Sequence, residues 1–416
     1  MTISKEPRSL NRTEWAERHV EDFLSLPLVR EFVFRSPQAS DRGIQKEVVD
    51  FLIAHGESAI LISQKCQENP LARNGTKVSS WAKKAAKGAA SQLCGALRTS
   101  NEKEIWCEHS RRGRVQFPHG LPKIDHAIVM VEVFERVELN QFDLDTAYFP
   151  LNFNETPISY FSGNDFLNLV VALRTTSDLL AYLNARRLLP PSDLHVIGDE
   201  KSLFEFYLLN GGTFEGCASR RDVTIAVSEQ QDRLKDILAT KRESDSYSGL
   251  LEDVADKLAT RLPDYASNLP QHLLASFDPP DARAGYLEMQ RILTGLRLRE
   301  RAELGRSFYS VVDKVANETN TFTYRSAYLD LHPAWVFVFA ASRGIDREEV
   351  LSRNTNLMRG AVAFYGKNCL LVTDRDGANY EVGIARQGSS PTTDEQEIGR
   401  RFFGHLRITD VSLDRV

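Results

Sequence analysis

Asp50, Ser63 and Lys65 are the residues of this chain whose types and spacing could do chemistry together. They lie in KEVVDFLIAHGESAILISQKCQ (residues 46–67), two apolar runs joined by a turn. A carboxylate and an ammonium inside strands cost several kcal/mol unless they are paired, hydrated or bound to metal. A tight turn at Gly56-Glu57, or a four-residue loop from His55 to Ser58, sets Asp50 opposite Ser63 and Val48 opposite Lys65. Opposed residues project to one face about 5 Å apart, and strand side chains alternate, so Asp50, Ser63 and Lys65 converge. A one-residue slip separates them. A convergent carboxylate, hydroxyl and ammonium suits phosphodiester hydrolysis. The carboxylate can hold Mg²⁺ or Mn²⁺ together with waters and substrate oxygens. The metal polarises the phosphoryl group, and the lysine orients the attacking water or stabilises developing charge. The bland alternative is an ion pair at a strand end, contributing about 1 kcal/mol or less.

One aspartate is too few for such a site, so the neighbouring elements matter. A helix expected over about Thr13 to Leu26 offers Glu14, Glu17 and Glu21, of which Glu17 shares a stripe with Val20 and Leu24. Glu17 is the expected second metal-binding carboxylate, and Glu21 its substitute. Glu47 falls on the face opposite Asp50 in a regular strand, which suits a structural role better than a site role. Gln67 continues the face of Ser63 and Lys65 and could touch substrate or water. REFVFRSP reads as a short strand and QASDRGIQ as a polar loop. SSWAKKAAKGAASQLCGALR reads as a helix, in which Lys83, Lys84 and Lys87 share part of one face and could neutralise phosphates. EIWCEH and HAIVMVEVF read as two more strands. The order is a mixed α/β pattern, not a repeating βαβ one.

Composition bounds the remainder. At 416 residues, 42% hydrophobic and 26% charged, the chain is globular and long enough for two domains. We place them at 1–150 and 151–416, the second mainly helical with a small β element near its end. Within it, RESDSYSG (242–249) reads as a loop, and AGYLEMQRILTGLRLRERAELGRSFYSVVDKVAN as one long helix. Asp-Gly between apolar runs in CLLVTDRDGANYEVGIA marks a hairpin. Asp178, Tyr182 and Arg186 recur at helical spacing and suit a structural network. Five scattered cysteines without a CxxC pair, no membrane-length apolar run and no apolar leader fit a cytoplasmic protein. Net charge is −5, yet residues 65–114 hold eleven Lys and Arg against four acids, a candidate phosphate-binding surface. No Walker A or GxGxxG element supports ATP or dinucleotide use.

The arrangement resembles the PD-(D/E)xK nuclease superfamily. In it a helix bears a glutamate, a strand carries the metal-binding Asp, and a hairpin partner carries the (D/E)xK element. Asp50 matches the Asp, Lys65 the Lys, and Ser63 stands where Asp or Glu is usual. The stretch also looks like a group of uncharacterised bacterial proteins sharing Lys46-Glu47, Asp50, Ser-x-Lys, Trp81 and Gln92-Leu93 before Gly95-Ala96. Gln92 is similar in placement to the helical glutamine of RecB-type nucleases. The resemblance covers roughly residues 13–135. It implies a restriction-endonuclease-like mixed sheet flanked by helices; the mainly helical α+β domain expected after it would regulate, dimerise or recognise a target. It further implies an Mg²⁺- or Mn²⁺-dependent nuclease acting on nucleic acid, DNA before RNA and endonucleolytically, in defence against phage or other foreign DNA. A catalytically inactive, nuclease-derived binding or sensor protein is the alternative, because of Ser63.

Overall fold

A computed structural model of the chain describes residues 26–404 except 42, 68–74, 110–111, 119, 121, 133–141, 145–148, 218, 269–281, 378 and 389, and also Val20 and Leu24. The protein is mixed α/β and divides into two compact units, Met1–Leu238 and Ala239–Val416. The expected division at 150/151 falls inside the first unit, because a strand beyond it completes the main sheet.

That sheet has six strands in the order β1 (Val33–Arg35), β4 (Phe51–His55), β5 (Ser58–Cys66), β8 (Lys123–Glu132), β11 (Thr156–Ser162) and β10 (Asn152–Phe153). β1, β4 and β5 are antiparallel neighbours, whereas β5, β8 and β11 run parallel. The β4–β5 turn is Gly56-Glu57, with His55 opposite Ser58 and Gly56 at φ 62°, a left-handed conformation that favours glycine. Between β5 and β8 the chain forms α1 (Gly75–Glu102) and the hairpin β6 (Ile105–His109) and β7 (Gly113–Phe117).

Strand alternation divides the core into two layers. Leu52, Ala54, Ala59, Leu61, Ala127, Val129 and Val131 face α1, which answers with Ala82, Ala86, Ala89, Ala90, Leu93 and Ala96. These small side chains keep helix propensity high and let the helix lie close to the sheet. Phe51, Ile53, Ile60, Ile62, Ile128 and Met130 face the other way, in one cluster with Val20, Leu24, Phe161, Phe166 and Leu183. Slipping β5 by one residue would send Ser63 and Lys65 into that second apolar layer, so burial fixes the register.

Two local expectations change. Residues 46–50 do not continue β4: Ile44–Glu47 is a separate strand, β3, paired with β2 (Gln38–Asp41) in a four-stranded sheet ordered β3-β2-β6-β7. QASDRGIQ is therefore a hairpin, not a loop.

Beyond β11 come α2 (Gly163–Leu173), α3 (Thr176–Arg186), α4 (Pro191–Leu194), the β9–β12 pair (Phe142–Asp143 with Val196–Ile197), α5 (Glu200–Leu209) and α6 (Arg220–Glu229). α7 (Gln231–Asn268) contains the unit boundary and runs straight through RESDSYSG. There Lys241 bonds Asp245 at 2.8 Å and the fully buried Ser248 accepts from Arg301 Nε at 3.0 Å, so the polar segment is a packed helical turn. The long helix expected after Ala284 is two, α8 (Ala282–Gly295) and α9 (Leu298–Val315). Arg297 is extended (ψ 161°), and its backbone N–H donates to Glu300 in a capping box that starts α9 afresh.

The second unit carries the sheet β13 (Thr321–Ala327), β14 (Trp335–Arg343), β15 (Asn368–Arg375) and β16 (Asn379–Ala385), in that order. α10 (Arg347–Tyr365) crosses between the parallel strands β14 and β15, and α11 (Thr393–Phe403) follows β16. Asp376 and Gly377, both at positive φ, form the expected β15–β16 turn.

Candidate functional site

The site lies at the end of the hairpin away from its turn. The β4–β5 ladder runs to Phe51 opposite Ile62; Asp50 immediately precedes β4, and Ser63 follows Ile62 within β5. Asp50 is half-buried, and its Oδ2 accepts the backbone N–H of Gln64 at 2.6 Å. Its own carbonyl accepts from Ser36 N–H at 2.8 Å, which fixes the backbone where the strand ends. Ser63 is fully buried and Lys65 half-buried, both on the face toward α1.

A single amide oxygen joins them. Gln92 Oε1, on α1, accepts from Ser63 Oγ at 3.1 Å and from Lys65 Nζ at 2.8 Å. The second bond is charge-assisted and therefore the stronger one, so it sets where the ammonium stands. The close packing of the alanine-rich side of α1 on Leu61 and Val129 brings Gln92 within reach. Lys83, Lys84 and Lys87 are exposed on the same helix. Gln67, one residue past β5, is 1% exposed, and its backbone N–H donates to Glu132 O at 3.1 Å.

Other expected residues stand apart. Glu17 and Glu21, with Glu14, lie outside the described residues. Glu47 is exposed in β3, opposite Gln38, in a different sheet from β4, which Asp50 precedes. Tyr182 and Arg186 form a buried network, donating to Glu200 at 2.6 and 2.7 Å, while Asp178 accepts from Thr175 at the start of α3. Burial alone would raise the Glu200 carboxyl, but the guanidinium of Arg186 against it holds it below its ordinary value.

Sequence reasoning passed over Glu132. It ends β8 on the opposite face of the sheet, where its Oε2 accepts from Gln64 Nε2 at 2.8 Å. Burial pushes its carboxyl up to about 7, with the Gln64 bond acting in the other direction. Room for it comes from Gly163 at the start of α2: a Cβ there would stand 3.1 Å from Glu132 Cβ and Cγ. The signal was the single acid closing the apolar run HAIVMVE, legible only once β5 and β8 are known to pair.

Asp50 and Ser63 offer oxygens, the kind of donor that suits a hard divalent cation retaining most of its waters, whereas both polar atoms of the Gln67 side chain are buried away from water. Among the described residues no group of three or more His, Cys, Asp or Glu side chains converges. Of Asp50, Ser63 and Gln67, Asp50 alone is charged, so a divalent cation held here would have to keep most of its waters. No helix among the described residues is long and apolar enough to cross a membrane. Comparison with protein-family models, curated proteins and solved structures returns no match for this chain.

Proposed function

We propose that the first unit is a metal-dependent nuclease of the PD-(D/E)xK kind, hydrolysing phosphodiester bonds within DNA, with defence against foreign DNA as its setting. The observation that carries this reading is the acceptor shared by Ser63 and Lys65 on Gln92, beside Asp50 at the open end of the hairpin. The antiparallel β1–β4–β5 meander, followed by α1 and the parallel strand β8, supports it. Asp50 would hold Mg²⁺ or Mn²⁺, joined by Glu17 from the amino-terminal segment. When bound, the ion neutralises phosphoryl charge and makes a coordinated water more acidic. Gln92 takes one direction of the Lys65 ammonium, which has three N–H donors; the others are available to orient the attacking water or to meet charge developing on phosphate. Ser63, its proton committed to Gln92, presents lone pairs. The exposed lysines of α1 would neutralise flanking phosphates.

Wild type and Lys65→Ala, incubated with linear, circular and single-stranded DNA and with RNA in Mg²⁺, Mn²⁺ or EDTA, test the reading. We expect divalent-dependent cleavage, closed circles included, falling at least about 100-fold in the variant. Equal cleavage by both proteins sinks the assignment. Metal-independent binding that survives Asp50→Ala, without cleavage, would instead favour the nuclease-derived binding protein.

A further inference from the structure

The second unit holds a cavity of about 660 Å³, a size that takes small molecules. It lies between the end of α10, the end of β16 and the loop leading into α11. Arg359, Val362 and Ala363 recur at i, i+3 and i+4, so one face of α10 forms a wall of it. Ala385, Arg386 and Pro391 contribute another. Two guanidiniums in one cavity repel unless something holds them, and here a carboxylate holds each by one edge only. Arg359 Nε donates to Glu395 Oε1 at 3.3 Å, and Glu395 is itself fixed by the N–H and hydroxyl of Thr392, both bonded to its Oε2. Arg386 Nη2 donates to Glu288 Oε1 at 2.5 Å, and its Cζ lies over the Trp335 ring, 5.1 Å from the centroid. Glu288 also accepts from Nε and Nη2 of Arg291, at 3.0 Å each, so three guanidiniums share two carboxylates. Among the described residues nothing accepts from Nη1 and Nη2 of Arg359, or from Nε and Nη1 of Arg386. Such planar forks match the oxygens of a phosphate, and fixing their orientation beforehand lowers the entropy lost on binding. Val362, Ala363, Ala385 and Pro391 give an apolar surface that an inorganic ion would leave uncovered.

We propose that this cavity binds a phosphate monoester carried on an apolar body about the size of a nucleoside, its phosphate taken by Arg359 and Arg386. The site belongs to the second unit and stands independently of the nuclease reading.

Calorimetric titration of the full chain in EDTA with adenosine 5′-monophosphate, adenosine and inorganic phosphate tests this. The monophosphate should bind saturably, and at least about 10-fold more tightly than either adenosine or phosphate alone. Arg359→Gln and Arg386→Gln should each weaken it by about 10–100-fold, the loss expected for a hydrogen bond between charged groups. Arg359→Lys, which keeps the charge but not the fork, should also lose affinity. Should Arg386→Gln fail to fold, Arg359→Gln, at an exposed position, carries the test alone. Equal affinity for adenosine and its monophosphate, no saturable binding up to about 10 mM, or affinity unchanged in the arginine variants overturns the inference. Because a nuclease site can itself take phosphate, Lys65→Ala is the control, and binding should survive it. Binding lost in Lys65→Ala but kept in Arg359→Gln would put the phosphate at the hairpin and overturn the inference as well.

Discussion

Glu132 is the residue at which pH should act on the fold. Its folded-state value of about 7 lies above the ordinary 4.5, so between those limits the native state holds the extra proton. Stability contributed by the neutral carboxyl is therefore complete below about pH 4.5, is lost as pH rises through the window, and is level above about 7. The displacement corresponds to about 3 kcal/mol at most. Glu132→Gln keeps a partner for Gln64 and never ionises. It should stabilise the protein by up to that amount at about pH 8, and by little below about pH 4.5. Urea denaturation at several pH values reads the difference, and a gap that does not vary with pH would show that this carboxyl does not ionise in the window. At this scale the sequence was informative about parity and blind to partners. The Gly56-Glu57 turn and alternation predicted the β4–β5 register, which the ladder carries as far as Phe51 opposite Ile62. That Gln64 would bond Glu132 through its side chain depends on β8 lying next to β5, with the partner 68 residues away.

Elements announced themselves where one face was apolar and hid where polar residues were packed. α1 was legible from its alanine-rich periodicity, and the β15–β16 hairpin from Asp-Gly. β3 was not, because IQKE is exposed along its length and shows no alternation. RESDSYSG read as a loop because its serines favour turns in isolation, yet Ser248 is buried against Arg301. The same stretch of α7 meets α9 so closely that a Cβ at Gly305 would stand 2.1 Å from the carbonyl oxygen of Tyr247. Backbone cannot yield as a side-chain tip can. Gly305→Ala would gain about 1 kcal/mol of helix propensity and lose about 3 kcal/mol to overpacking. We expect net destabilisation of about 2 kcal/mol by equilibrium denaturation. A neutral or stabilised variant would mean that the two helices part easily.

For the whole molecule, the boundary matters more than the number of domains. Composition does change near residue 150, since strands give way to helices, but the sheet does not end there. β11 runs parallel to β8 over Ile158–Ser162 and buries Ile158, Tyr160 and Phe161. Each such side chain contributes about 1.5–3 kcal/mol by burial. A chain ended at residue 150 would leave β8 as an open edge beside uncovered Ile128 and Met130. It should be insoluble or unfold without cooperativity, whereas a chain ended at Leu238 should show a cooperative melt. A sharp transition in the shorter fragment would mean that β11 is dispensable. Parallel pairing over a long crossover leaves no short-range trace, which is why helical texture beyond 150 looked like a new domain.

Gln92 has a consequence for the serine at position 63. A primary amide can be turned end for end with almost no change of shape, exchanging an acceptor for a donor. With serine at 63, Oε1 faces the hydroxyl and takes Lys65 as well. With a carboxylate at 63, the reversed amide would offer Nε2 to that carboxylate, which could in turn accept the lysine ammonium. The helix residue is thus indifferent to which of the two chemistries its neighbour carries. Because Ser63 is fully buried, a longer carboxylate there would still need space beside α1, but the amide that holds Lys65 would not itself have to change.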